Sequence, residues 1–363
     1  MTHQAQQVVW SQELIDKYNI NGPRYTSYPT ALALQAKFPL STMERTLQQA
    51  SQKLSLYIHL PFCHKLCYYC GCNKVITRHQ HKADIYLDYL AKEMAMYRPL
   101  LGNRRFESVH MGGGTPTFLT EAQLTRLDNL LHEHFQFTEN AEWSIEIDPR
   151  SCSDEKLRHL RKLGFNRVSY GVQDFDSQVQ IAINRVQDTE LIKHQVALSR
   201  ELGFHSINLD LIYGLPYQRP ETFKASIDQV IALNPDRISL FRYAPLPSRF
   251  AGQRKIADDS LPSAPIKLEL LQLGITRFTA AGYQFIGMDH FAKTDDTLAQ
   301  AQQQGKLQRN FQGYTTHGQD ALLGIGASSI SQIDGVLWQN NKELPTYYRL
   351  LDEGRLPIIK GFE

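Results

Sequence analysis

The sequence predicts an α/β protein built on a parallel sheet, and three observations predict it. Six short β-rich runs alternate with amphipathic helices. A phrase of helix, glycine plus aromatic, then strand recurs three times. Finally, 363 residues at 42% hydrophobic and 21% charged are enough to bury a large core.

The elements follow in order. LSLYIHL (54–60) is the first strand. From Ala83, the apolar positions Leu87, Leu90, Met94 and Tyr97 keep helical spacing. ESVHMG (107–112) is the second strand, and Thr120 with Gln123 forms a capping-box pattern ahead of Leu124, Leu127 and Leu131. WSIEID (143–148) is the third. Leu157, Leu160 and Leu163 run to Gly164-Phe165 and into RVSYGV; Leu191, Leu198 and Leu202 run to Gly203-Phe204 and into INLDLIYG. Glycine just past a helix supplies the left-handed C′ residue. RISLFRY (237–243) is the sixth strand, and the phrase returns at Gly282-Tyr283 before QFIGM. This order suits either a barrel or a doubly wound sheet, and periodicity does not choose between them.

A net charge of +2 gives no electrostatic case for a nucleic-acid partner. No secretory signal and no run of ~18 apolar residues is visible. The expectation is a soluble cytoplasmic protein with reduced cysteines.

Four of the five cysteines, Cys63, Cys67, Cys70 and Cys72, lie within ten residues as C-x3-C-x2-C-x-C, directly after the first strand. Three thiolates on one tight loop can hold three irons of a [4Fe-4S] cube and leave the fourth iron open. Structural zinc normally needs a second, distant ligand pair, and the chain has none, so the iron–sulfur reading is preferred to zinc. Cys152 reads as a structural thiol.

Gly112-Gly113-Gly114-Thr115-Pro116 follows the second strand, where three missing Cβ atoms let a ligand approach the backbone. The bland reading is an ordinary βα turn. Glu146 and Asp148 share one side of the third strand; a carboxylate at that strand end, Glu146 before Asp148, could accept hydrogen bonds from ribose hydroxyls, the alternative being a solvated loop acid. Asp210 is a charge inside an apolar strand, costly unless paired; it is a site candidate against a structural ion pair. Arg185 is a similar case, and Gln173 could bind a ligand or cap a loop. GPRYTSYPTA (22–31) carries Arg24, Tyr25 and Tyr28 in a segment without helical or strand period. It is either a wrapping loop or an arm that closes over an anionic substrate.

These segments, with LYIHLPFCHKLCYYCGCN, HMGGGTPTF, EIDPR, GVQDF, NRVQD, LDLIYGLP, GYQFIGMDHFA and RNFQGYTT, resemble the oxygen-independent coproporphyrinogen III oxidases, a family of radical S-adenosylmethionine (SAM) enzymes. The match runs in order from about residue 10 to about residue 350. The resemblance implies an incomplete (β/α)6 TIM-like barrel, a [4Fe-4S] cluster on Cys63, Cys67 and Cys70, and two SAM molecules. Tyr57, Gly113, Glu146 and Ile330 would contact the first SAM. Tyr69, Gly114, Thr115, Gln173, Arg185, Asp210 and Ala244 would surround the second. Cys72 belongs to the family pattern without being a cluster ligand. Tyr69 stands where the family commonly has Phe, and Pro245 where it usually has a polar residue.

The implied reaction converts two propionates of coproporphyrinogen III to vinyl groups, giving protoporphyrinogen IX. Arg24 and Arg309 are candidate anchors for the substrate carboxylates. The implied division is an N-terminal arm and helix (1–50), a barrel core (51–250) and a C-terminal extension (251–363), with the family's C-terminal cover domain expected to be missing. A monomer and an electron donor such as a flavodoxin are also expected. The alternatives are a homologue that binds cluster and SAM without turnover, and a haem-trafficking relative. The PRYTSYPTA arm and Cys72 argue against the last.

Overall fold

The computed structural model describes residues 10, 11, 13, 17, 30–51, 53–310, 313–316 and 321–363. All six expected strands form: β1 Lys53–Leu60, β2 Arg105–Gly113, β3 Gln136–Ile147, β4 Arg167–Gln173, β5 Ser206–Tyr213 and β6 Arg237–Arg242. Between them lie the helices His81–Leu101, Glu121–His134, Asp154–Lys162, Thr189–Glu201 and Pro220–Leu233. Thr120 and Gln123 close the expected capping box. Gly164 takes φ +96° with nothing near its missing Cβ, so backbone conformation alone requires glycine there.

Each of the six strands pairs in parallel with the next, in sequence order. A doubly wound sheet would reverse direction at a switch point; a singly wound sheet curls toward a barrel. The barrel stays open, because β1 and β6 do not pair. Beyond β6 the sheet continues antiparallel through β8 His290–Lys293 to β7 Tyr283–Gly287. On the other side, β9 Ala321–Ile325 joins β1 in parallel. It is followed outward by antiparallel β10 Ile330–Ile333, β11 Val336–Asn340 and β12 Ile358–Phe362. Residues beyond 250 therefore extend the barrel sheet at both edges.

Period-two alternation sets the two faces. Leu54, Leu56, Ile58, Val109, Met111, Ile145, Val168, Tyr170, Leu209, Leu211, Ile238 and Leu240 are buried in one core with the helix residues Leu87, Leu127, Leu157, Val196 and Phe223. The intervening positions are polar and bond to one another across strands. Ser108 reaches Ser55 (2.8 Å), His110 reaches Ser144 (2.7 Å), and Asn208 reaches Ser169 (2.8 Å). Most barrels of this size fill their interior with apolar side chains; a hydrogen-bonded lining instead suits a polar ligand.

Besides the pairing of β9 with β1, a buried carboxylate ties the C-terminal strands to the helix His81–Leu101. Glu93, fully buried on His81–Leu101, accepts from the Gly326 N–H (2.8 Å), Asn340 Nδ2 (2.6 Å) and the Tyr347 hydroxyl (2.5 Å). No helix among the described residues is long and apolar enough to cross a membrane.

Candidate functional site

Chemistry in parallel α/β folds gathers at the carboxyl ends of the strands, and the cysteine loop lies there. It leaves β1, and Phe62–Cys63 pairs with Val75–Ile76 to close its base. The loop is pinned from β4's side, where the Tyr68 N–H donates to the Ile183 carbonyl and Asn184 Nδ2 to the Leu66 carbonyl. Cys63 and Cys67 are buried, Cys70 is half-buried, and Cys72 is exposed.

Each of the three expected ligand sulfurs faces a donor. Cys63 Sγ receives the Thr115 hydroxyl at 3.4 Å, and Cys70 Sγ the Cys72 N–H at 3.5 Å. Cys67 Sγ receives two guanidinium groups, Arg150 Nη2 and Arg185 Nη1, each at 3.4 Å. Burial pushes the Cys63 thiol up to about 12, so its thiolate needs a cation close by. Hydrogen bonding with Cys72 and the Lys74 ammonium instead bring Cys70 down to about 6. Among the described residues, no three His, Cys, Asp or Glu side chains converge as on a single metal ion. A cube differs in this respect, since each thiolate binds its own iron.

The glycine triplet is a cradle. A Cβ on Gly112 would stand 2.8 Å from the Glu146 carboxylate, on Gly113 2.7 Å from the His59 ring, and on Gly114 2.7 Å from the Pro61 carbonyl. Gly113 also takes φ +116°. Its N–H donates to Glu146 Oε2 (3.3 Å), while His110 Nε2 lies 3.3 Å from Oε1. Burial opposes the charge on Glu146, but these partners outweigh it and hold the carboxyl below its ordinary range. The Tyr57 ring stacks on His110 at 6.0 Å, and its hydroxyl meets His59 Nδ1 at 3.1 Å. Ile330 is one strand further out, its carbonyl against Gly324, which pairs with Tyr57; its side chain packs with Leu34 and Leu337.

The other expected residues line the β4–β6 side. Gln173 and Arg185 both reach over Gly171, where a Cβ would meet each at 2.8 Å. Gln173 itself is left-handed, φ +70°, an uncommon conformation for a residue that is not glycine. Arg185 is buried and pairs with Asp148 at 3.3 Å. Burial of Asp148 is overridden by Arg185 and Arg150, which bring it down to about 2. Asp210 accepts from Ser169 (3.1 Å) and Asn208 (2.8 Å). Burial, reinforced by the nearby Glu146 charge, raises it to about 6. Gln253 Nε2 bridges the carbonyls of Tyr69 (2.8 Å) and Ala244 (3.2 Å).

Of the two suggested substrate anchors, Arg24 lies outside the described residues. The Arg309 guanidinium pairs with Asp289 at 3.5 Å and lies over the Tyr314 ring. Sequence reasoning missed His110, Ser144, Ser169 and Asn208. Their signal lies in strand alternation: His110, Ser144 and Asn208 are two residues from Gly112, Glu146 and Asp210, and Ser169 is four from Gln173. Arg150 stood in the quoted EIDPR segment without a role.

Comparison with known proteins gives the same picture. Residues 57–230 match the model of the radical SAM superfamily. The oxygen-independent coproporphyrinogen III oxidase of Salmonella typhimurium is 55% identical over 357 residues, covering 98% of this chain and 78% of that protein. The Escherichia coli enzyme of the same name is 55% identical over 358 residues, with the same coverage, and that of Synechocystis is 46% identical over 367 residues. The solved structure of E. coli coproporphyrinogen III oxidase (HemN), described as a radical SAM enzyme, superposes with TM-score 0.94 at 52% identity, covering 98% of this chain and 81% of that one. The three-cysteine loop set against a glycine cradle, on an open six-stranded barrel with a polar lining, therefore belongs to the oxygen-independent coproporphyrinogen III oxidases, and this chain is a member of that radical SAM family.

Proposed function

We propose that the chain converts two propionate side chains of coproporphyrinogen III to vinyl groups, giving protoporphyrinogen IX. The observation that carries this is the placement of Cys63, Cys67 and Cys70 beside the Gly112–Gly114 cradle at the mouth of a polar, open barrel. The donors around the three sulfurs fit a cluster, and the glycines let the main chain approach Glu146, His59 and Pro61 closely, gathering polar groups that fit a small polar ligand.

A [4Fe-4S] cluster held there would supply the one-electron reducing power for radical chemistry with SAM, which an unactivated propionate carbon requires. The chain's own groups bind and orient. Cys63, Cys67 and Cys70 hold the cluster. Glu146, fixed by His110 and the Gly113 N–H, presents its remaining lone pairs to ribose hydroxyls. Tyr57 and Ile330 complete this first subsite. Tyr69, Gly114, Thr115, Gln173, Arg185, Asp210 and Ala244 would surround a second SAM molecule. Asp210, raised toward neutrality, can donate as well as accept a hydrogen bond there near pH 6. In this reading residues 51–250 carry the radical chemistry and 251–363 flank it, in a cytoplasmic monomer served by a one-electron donor such as a flavodoxin. Arg24 and Arg309 remain the proposed carboxylate anchors.

The test is anaerobic reconstitution with iron and sulfide, followed by reductant, SAM and coproporphyrinogen III. Vinyl product is expected; a reconstituted protein without a [4Fe-4S] spectrum would overturn the reading. A second measurement probes the cradle. Gly113→Ala adds a Cβ at 2.7 Å from His59 on a backbone of positive φ. It is expected to weaken SAM binding at least tenfold by calorimetry, with cluster content unchanged.

A further inference from the structure

The three proposed cluster ligands are not equally charged. Cys63 meets a neutral hydroxyl and Cys70 a main-chain N–H with the single Lys74 ammonium nearby, whereas Cys67 alone meets two cations. Both guanidinium groups are shielded from water, with side chains 16% exposed for Arg150 and 7% for Arg185. Neither can shed its charge by losing a proton.

Arg150 is also held still. Its Nε and Nη2 grip Asp148 at 2.9 and 2.7 Å, its own N–H donates to Asp148 Oδ1 at 3.1 Å, and Nη2 is left shared with the sulfur. Around one sulfur the chain thus assembles two positive charges and one negative.

We propose that Arg150, acting with Arg185 and opposed by Asp148, sets the reduction potential of the cluster through the Cys67 sulfur. This rests on the reading of Cys67 as a cluster ligand. Reduction adds one electron and makes the cluster more negative. Donor N–H groups and positive charge at a ligand sulfur stabilise the reduced form and raise the potential. Arg185 additionally faces the second ligand subsite, so Arg150 is the residue in which this effect can be isolated. It is a positioning and tuning residue; nothing places it against substrate.

A role confined to clamping Asp148 and the Pro149–Ser151 turn makes a different forecast. Substitution would then lower stability or cluster content and leave the potential where it was.

The experiment is a mediator-equilibrated dithionite titration of the reconstituted full chain without SAM, followed by the EPR signal of the reduced cluster. Arg150→Met is expected to make reduction about tenfold less favourable, a midpoint lower by ~59 mV for one electron. Arg150→Lys, which keeps the charge, is expected to recover most of that loss. Asp148→Asn, which removes the opposing charge, is expected to move the midpoint the other way. Wild-type protein with no [4Fe-4S] signal would sink the underlying ligand assignment. A normal wild-type signal with R150M and D148N at the wild-type midpoint overturns the tuning role, as does R150K behaving like R150M. If R150M does not retain a cluster, D148N decides by itself: an upward shift supports the proposal, and none overturns it.

Discussion

Replacing Cys67 by alanine is expected to abolish reductive cleavage of SAM, by at least about 10³-fold, and to remove the [4Fe-4S] absorption after reconstitution. The sulfur is buried between two guanidinium groups, and alanine would leave both cations facing an empty coordination position. Cys63→Ala and Cys70→Ala are expected to behave alike. Cys72→Ser is the informative contrast. Its side chain is exposed, and it reaches Cys70 through both its thiol and its main-chain N–H; serine keeps the N–H and puts a hydroxyl donor in place of the thiol. Cluster content measured by iron and sulfide analysis should therefore survive in C72S and fail in the other three.

Glu93→Ala is expected to be the most damaging single change to stability outside the site. It strands three buried donors, from Gly326, Asn340 and Tyr347. Each unsatisfied donor costs roughly 1–3 kcal/mol, so a loss of about 3 kcal/mol or more is expected in chemical denaturation. The damage should spread toward the active end. The adjacent Ala327 N–H rests on the Tyr86 hydroxyl, which in turn donates to the His59 carbonyl.

The same residue gives a pH signature. Burial outweighs its three hydrogen bonds and raises Glu93 to about 7 from an ordinary 4.5. Between those values the folded chain keeps a proton that the unfolded chain has lost. The stabilisation belonging to the protonated form is thus complete below about 4.5 and is lost as pH rises through about 7. Glu93→Gln cannot titrate. The stability of wild type relative to E93Q should fall between pH 5 and 8; a difference that is flat, or that grows with pH, would contradict the shift.

Much of the site was legible because its chemistry is local. C-x3-C-x2-C needs only one loop, and the three glycines need only one turn, so spacing alone exposes both. Asp210 stands out because a charge in an apolar strand conflicts with its neighbours, and Glu146 and Asp148 because they share one side at a strand's carboxyl end. His110 and Ser169 escaped notice because a histidine or serine creates no such conflict. Their roles appear only when neighbouring strands bring them opposite Glu146 and Asp210.

What the sequence determined by itself is the set of six strands and their helices, the cysteine loop, the glycine cradle and the alternation that separates an apolar from a polar face. These follow from periods of two and 3.6 residues and from spacings within a single loop. Tertiary structure alone decided that the sheet is singly wound and open, that β9 from near the end of the chain flanks β1, and that Arg150 from β3's exit and Arg185 from beyond β4 converge on one sulfur. The physical reason is sequence distance: Cys67 is 83 residues from Arg150 and 118 from Arg185. No local pattern encodes which partner a buried charge finds; the order in which strands pair does.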